Sequence, residues 1–153
     1  YSGLYGSRQA PLELGVGGAA EAPRAPMNIP AEFKIEPFLR SAKTSFIRLQ
    51  AANDAKDLND IREYTTPQMF AEISMQMRDR GNELQKTEVV SVNVELLEVV
   101  TEDNLAIASA RFNGLIREEP GQAPVPFDEV WHVQKDIKDP KSVWLIAGIQ
   151  QVS

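Results

Sequence analysis

The sequence has no cysteine and a single histidine, His132. The first absence excludes a disulfide framework and any thiolate zinc site, and the second excludes a multi-histidine metal centre within one chain. No metal and no cofactor is expected. Nowhere does an apolar run approach the roughly 18 residues needed to span a bilayer. Positive charge is also in short supply: 16 Lys and Arg against 22 Asp and Glu leave a net charge of −6, which makes the chain a poor non-specific binder of nucleic acid. An anionic partner therefore requires a local basic patch. Catalytic signatures are missing too. No nucleophile elbow surrounds any serine, and the Gly15, Gly17, Gly18 cluster has neither the preceding strand nor the following Lys-Ser or Lys-Thr of a phosphate-binding loop.

What the 153 residues do contain is one domain's worth of patterned sequence behind an unpatterned start. Residues 1–28 hold five of the nine Gly and three of the ten Pro, a composition that cannot offset its ordering entropy by burial. They read as a flexible linker, followed by a domain over 29–153. The chain starts at Tyr1 without an initiator Met, which fits a signal or membrane segment further upstream.

Pro37 suits a first helical position, and Phe38, Leu39, Ala42, Phe46, Leu49 and Ala52 then recur at spacings of three and four, predicting an amphipathic helix. Its polar side carries Arg40, Lys43 and Arg48, with Lys34 just before. Two readings stand: a core helix with a solvated face, or a surface attracted to anionic headgroups. Asp57 is placed to cap a short helix through Tyr64, and Thr66-Pro67 to start a third, with Met69, Ile73 and Met77 along one stripe. Gly81 is placed to end that helix in the left-handed conformation.

From Thr87 the period becomes two. Val90, Val92, Val94 and Leu96 face one way and Leu97 and Val99 the other, so a bulge is expected near Leu96 and Leu97. Thr101–Asn104 is turn chemistry. A second strand from about Leu105 to Glu118 presents Ala106, Ala108, Ala110 and Phe112 on one face, and the proline-rich stretch Glu119–Pro126 forms an exposed loop. Two further strand patterns close the chain within Phe127–Gln151, joined by Lys138–Lys141. Phe127, Glu129, Trp131 and Val133 share one face by alternation. Val143–Ile149 is apolar on both faces, with Trp144 and Ile146 on one and Val143, Leu145, Ala147 and Ile149 on the other. Three helices followed by four antiparallel strands predict an α+β fold, helices covering one sheet face.

Registers taken from the turn positions set Phe112 opposite Trp131 and Arg111 opposite His132, with a slip of two as the alternative. Glu129 then shares the concave face with Trp131, Phe112 and Ile149. A carboxylate there is either a desolvated general base or a rim group reaching solvent or a cation. His132 alternates to the opposite, more polar face with Asp128, Val130 and Gln134. Asp128, four residues away along the strand at about 13 Å, is too distant to form a catalytic pair with it.

The runs FLRSAKTSFIRLQ (Phe38–Gln50) and YTTPQMFAEI (Tyr64–Ile73), and above all FDEVWHVQKD followed by WLIAGIQQ, resemble a known domain over roughly residues 30–153. It is the domain shared by the mitochondrial inner-membrane import-motor anchor, translocase of the inner membrane subunit forty-four, and its bacterial relatives. The resemblance implies a nuclear-transport-factor-two-like cone and a non-enzymatic, membrane-associated binding domain. It implies attachment to the inner membrane by an upstream anchor, the domain on the cytoplasmic side, and a part in protein translocation or envelope assembly. It also places Lys34, Arg40, Lys43 and Arg48 as candidate headgroup contacts, and Phe33 and Phe38 as candidate apolar ones. The mitochondrial member's long chaperone-engaging N-terminal part has no counterpart here, so a chaperone-anchoring role is not carried over.

Phe46, Phe112, Glu129 and Trp131 form a candidate ligand pocket, open to an acyl chain or filled by its own side chains. The expected partners are an anionic lipid surface and a protein, with a homodimer through the sheet face carrying Asp128, Val130, His132 and Gln134 as a further possibility. The alternative is a cone-fold enzyme of isomerase or dehydratase type using Glu129 as base.

Overall fold

Helix α1 (Ile35–Ala55) begins ahead of Pro37, which falls in the first turn rather than at the first helical position. A missing N–H costs nothing there, because first-turn amides have no acceptor within the helix. These coordinates form a computed structural model that describes residues 29–31, 33–81 and 86–152; the stretch 1–28, read above as a linker, lies outside the described residues. Lys56 ends α1 in the left-handed region, its N–H reaching the carbonyls of Ala52 and Asn53. Asp57 then caps α2 (Leu58–Arg62), accepting from the Asp60 N–H at 3.1 Å. The Thr66 hydroxyl caps α3 (Pro67–Arg80) through the Met69 N–H at 3.3 Å. Gly81 does end α3 at positive φ (75°), but its ψ of −147° belongs to an extended region open essentially to glycine alone rather than to the left-handed helix.

Four strands follow: β1 (Glu88–Glu102), β2 (Leu105–Arg117), β3 (Val125–Asp136) and β4 (Leu145–Gln151), paired antiparallel in the order β1-β2-β3-β4. With the helices preceding the sheet, the fold class is α+β as the sequence predicts. The bulge expected near Leu97 is present, and a second interrupts β1 between Val89 and Ser91. That second bulge explains Gly114. A Cβ there would lie 2.1 Å from the Ser91 carbonyl oxygen, and the residue's φ is +154°.

Two strand expectations need correction. The loop before β3 is shorter than its prolines suggest, because Val125 and Pro126 join the ladder opposite Ile116 and Leu115. The register therefore shifts by two, setting Phe112 opposite Glu129, Arg111 opposite Val130 and Ser109 opposite His132. In β4, a bulge at Ala147 breaks the alternation, since His132 and Val133 pair with Gly148 and Ile146. Ile146 and Ile149 consequently both enter the core, while Val143 stays 54% exposed and Trp144 precedes the strand.

The core lies between α1 and the sheet. Phe46 stacks on Phe112 and on Phe127, both at 5.1 Å between ring centres, and tilts against Trp131 at 5.5 Å. Ala108 and Ala110, buried beneath the helices, give the bulk of these rings room. The segment Tyr64–Thr66 runs beside β4: the Ile146 N–H donates to the Tyr64 carbonyl at 2.8 Å and the Thr66 N–H to the Ile146 carbonyl at 3.0 Å. The beginning of the β4 edge, at Ile146, is thereby paired rather than left as a template.

Candidate functional site

Helical spacing places Arg40, Lys43 and Ile47 along one side of α1. All three are exposed, as is Lys34 at the helix entrance, and none of the three cations makes an ion pair among the described residues. Ile47, 47% exposed, is an apolar side chain on that side; it does not extend the inward stripe, so its place was not marked by the periodicity.

Arg48 differs from the other three. Its guanidinium bonds Asp60 at 2.5 Å, approaches Glu63 at 3.6 Å and stacks over the Tyr64 ring at 4.4 Å. Tyr64 in turn donates its hydroxyl to Asp60 at 3.0 Å. The Arg48 hydrogen bond holds the Asp60 carboxyl below its ordinary range, and burial raises the Tyr64 phenol. Arg48 is thus a strut between α1 and α2. Phe38 is buried, and Phe33 is half-buried; they pack on each other at 5.5 Å and on Trp144 at 5.2 and 6.1 Å respectively. Both serve packing first, and only Phe33 keeps appreciable exposure.

Phe46, Phe112, Glu129 and Trp131 do converge, but their own side chains occupy the space. The void lined by Phe112, Trp131, Ala110 and Trp144 measures about 20 Å³, room for about one water and not for an acyl chain. Glu129 is 0% exposed, which rules out the rim position. Its Oε2 accepts from the Trp131 indole N–H at 2.8 Å and its Oε1 from the Gln151 amide at 3.0 Å. Burial raises its pKa against those two bonds. Sealed in this way, the carboxyl has no open route to a substrate proton.

On the outer sheet face, Asp128 pairs with Arg111 at 2.5 and 2.8 Å. His132 Nδ1 lies 2.9 Å from the Ser109 hydroxyl and its Nε2 3.1 Å from Gln150 Oε1. Strand order and the register shift make this chain visible; sequence spacing did not. Glu95, half-buried across from Arg111, and Glu98, across from Ser109, add negative charge to the same face.

Open grooves flank α1. One of about 650 Å³ runs past Ile47, Ala51 and Ala55 to Val89 and Arg117. A second, about 550 Å³, lies between Arg40 and Trp144, and a third, about 440 Å³, beside Phe33, Lys34 and Lys135. Among the described residues no helix is long and apolar enough to cross a membrane, and no group of acidic or histidine side chains is arranged to hold a metal. A search of curated proteins returns no match. The Tim44-like domain matches residues 19–151, a span that takes in α1, the aromatic stack and all four strands. With the helices-then-sheet order and the FDEVWHVQKD strand both in place, the chain belongs to the Tim44-like domain family, a family of membrane-associated, import-translocase-like domains.

Proposed function

We propose that this domain is a non-enzymatic binding module held at the inner membrane, facing the cytoplasm, where α1 lies against anionic lipid and other surfaces engage a protein partner in translocation or envelope assembly. The observation that carries the reading is the trio Lys34, Arg40 and Lys43, exposed and without ion-pair partners among the described residues, with the exposed Ile47 on the same helix face as Arg40 and Lys43. Arg48 drops out of the headgroup set because Asp60 already holds it.

Each cation near an anionic surface contributes roughly 1 kcal/mol. Three give a weak, reversible attachment that the overall charge of −6 opposes. Such binding suits a domain tethered by an upstream anchor, since tethering raises the local concentration at the surface.

Flotation with neutral and with cardiolipin-containing liposomes, at low and high salt, tests the proposal. The wild-type domain is expected to float only with the anionic vesicles and only at low salt, and a Lys34→Glu, Arg40→Glu, Lys43→Glu variant to stay at the bottom. Equal flotation of variant and wild type, or no flotation in any condition, would remove α1 from the membrane contact.

A further inference from the structure

Gln50 interrupts the apolar stripe of α1. It stands one turn after Phe46, where the helical period expects a core residue, and it is 4% exposed. The other buried polar side chains among the described residues all find partners: Thr65 the Ile61 carbonyl, Thr66 the Met69 N–H, Ser109 the His132 ring and Glu129 the Trp131 indole. The Gln50 amide has none among the described residues, and its Nε2 is shut off from solvent. An amide left in that state lowers stability, and a methionine would fill the same place without the loss. Gln50 borders the groove of about 650 Å³, a volume within the roughly 300–1,000 Å³ range of small-molecule sites. Ile47, Ala51, Ala55, Val89 and Pro120 make its walls apolar. The other polar groups there are committed or solvated. Asp54 accepts from the Thr87 N–H at 2.6 Å and from its hydroxyl at 2.7 Å, while Arg117 donates to Glu88 at 2.9 Å and to the Gln122 carbonyl at 2.7 Å. Lys86 is exposed, and so long a side chain keeps its ammonium in water.

We infer that this groove binds a neutral small molecule carrying a primary carboxamide on a compact apolar body, the body against Ile47, Ala51 and Val89 and the carboxamide paired with that of Gln50. Two such amides pair through two hydrogen bonds, each N–H donating to the other's carbonyl, so a single ligand group satisfies both Nε2 and Oε1 of Gln50. No hydrogen bond among the described residues fixes the Gln50 amide, and its terminal torsion is broad, so a turn about that bond brings Nε2 to the groove. The apolar walls select the body. A carboxylate fits worse, because it has no N–H for Gln50 Oε1 and loses hydration against apolar walls. A peptide laid along the groove fits worse as well. Its successive amides and carbonyls need many partners, and one uncommitted amide is present. The inference goes beyond the membrane reading and concerns a free ligand in solution.

Titration of the isotope-labelled domain with benzamide, followed by nuclear magnetic resonance without vesicles, tests it. Saturable shifts with one dissociation constant are expected at the Gln50 side-chain amide and at the backbone of Ile47, Ala51 and Val89, in about the millimolar range for so small a probe. Benzoate and methyl benzoate, which lack the carboxamide N–H, should each bind about tenfold more weakly. Gln50→Met keeps the helix and nearly the volume, so its urea midpoint should equal or exceed that of wild type while benzamide binding weakens about tenfold. No saturable shift, shifts centred away from Gln50, either comparison probe binding as tightly as benzamide, or unchanged affinity in Gln50→Met would overturn the site. A lower midpoint in Gln50→Met would overturn it too, by showing that the fold itself holds the amide. If that variant does not fold, the three probes compared on wild type decide the matter. Failure here leaves vesicle flotation untouched, and the reverse also holds.

Discussion

Solvent does not reach the carboxyl group of Glu129, and its two hydrogen bonds come from neutral donors, the Trp131 indole and the Gln151 amide. Without a cation to offset burial, the protonated form is favoured and the folded pKa lies above the ordinary 4.5. The folded chain then holds this proton at pH values where the unfolded chain has released it. This group's stability contribution is full below the ordinary value and declines as pH rises through the folded one. Asp60 works in the opposite direction, since Arg48 lowers its pKa; its contribution is present above the ordinary value of 3.8 and is lost as pH falls through the folded one. The wild-type domain is therefore expected to lose stability as pH rises above the ordinary carboxyl value, with a slope of up to about 1.4 kcal/mol per pH unit from Glu129. Glu129→Gln should flatten that slope. Urea unfolding at a series of pH values measures it, and an equally steep profile in Glu129→Gln would show that the buried carboxyl is not its source.

At the scale of elements, alternation and capping chemistry were readable because both are local. Asp57, Thr66 and Pro67 announce the helix starts, and the valines of β1 announce a strand whose bulge near Leu97 shows as a phase change. Non-local choices were less legible. The two-residue register shift between β2 and β3 depends on whether Pro126 pairs, and a proline does not declare which of its neighbours is the ladder's end. Which of the two pocket alternatives holds was unreadable for a similar reason: Phe46 recurs with helical period, but that period does not reveal that its ring fills the space between Phe112 and Phe127. Nor did Arg48 look different from Arg40 until α2 brought Asp60 beside it. The bulge at Val90 carries a testable consequence. Gly114→Ala would drive a Cβ into the Ser91 carbonyl, and backbone cannot yield as a side chain tip does. A loss of about 1–3 kcal/mol is expected, seen as a lower urea midpoint with unchanged denaturant dependence. A midpoint equal to wild type would mean that the bulge relaxes freely.

For the molecule as a whole, one ring joins the layers. Phe46 on α1 touches β2 through Phe112 and β3 through Phe127 and Trp131, so its removal should be felt by every element rather than by the helix alone. Phe46→Ala is expected to cost about 3–5 kcal/mol, a large share of the roughly 5–15 kcal/mol that holds a domain together. Far- and near-ultraviolet circular dichroism should lose signal in a single shared transition at lower urea. Separate transitions for helix and sheet would show that the layers hold independently.

The same ring sets an order of events during synthesis. Phe46 leaves the ribosome long before Phe112, Phe127 and Trp131 exist, and α1 has no core of its own to fold against in the interval. For that period the newborn chain displays Phe38, Phe46 and Leu49 together with Lys34, Arg40 and Lys43, a basic amphipathic segment with its apolar side uncovered. Translation speed through the strands thus decides how long a nascent segment of that character keeps its apolar side uncovered before β3 arrives and closes over it.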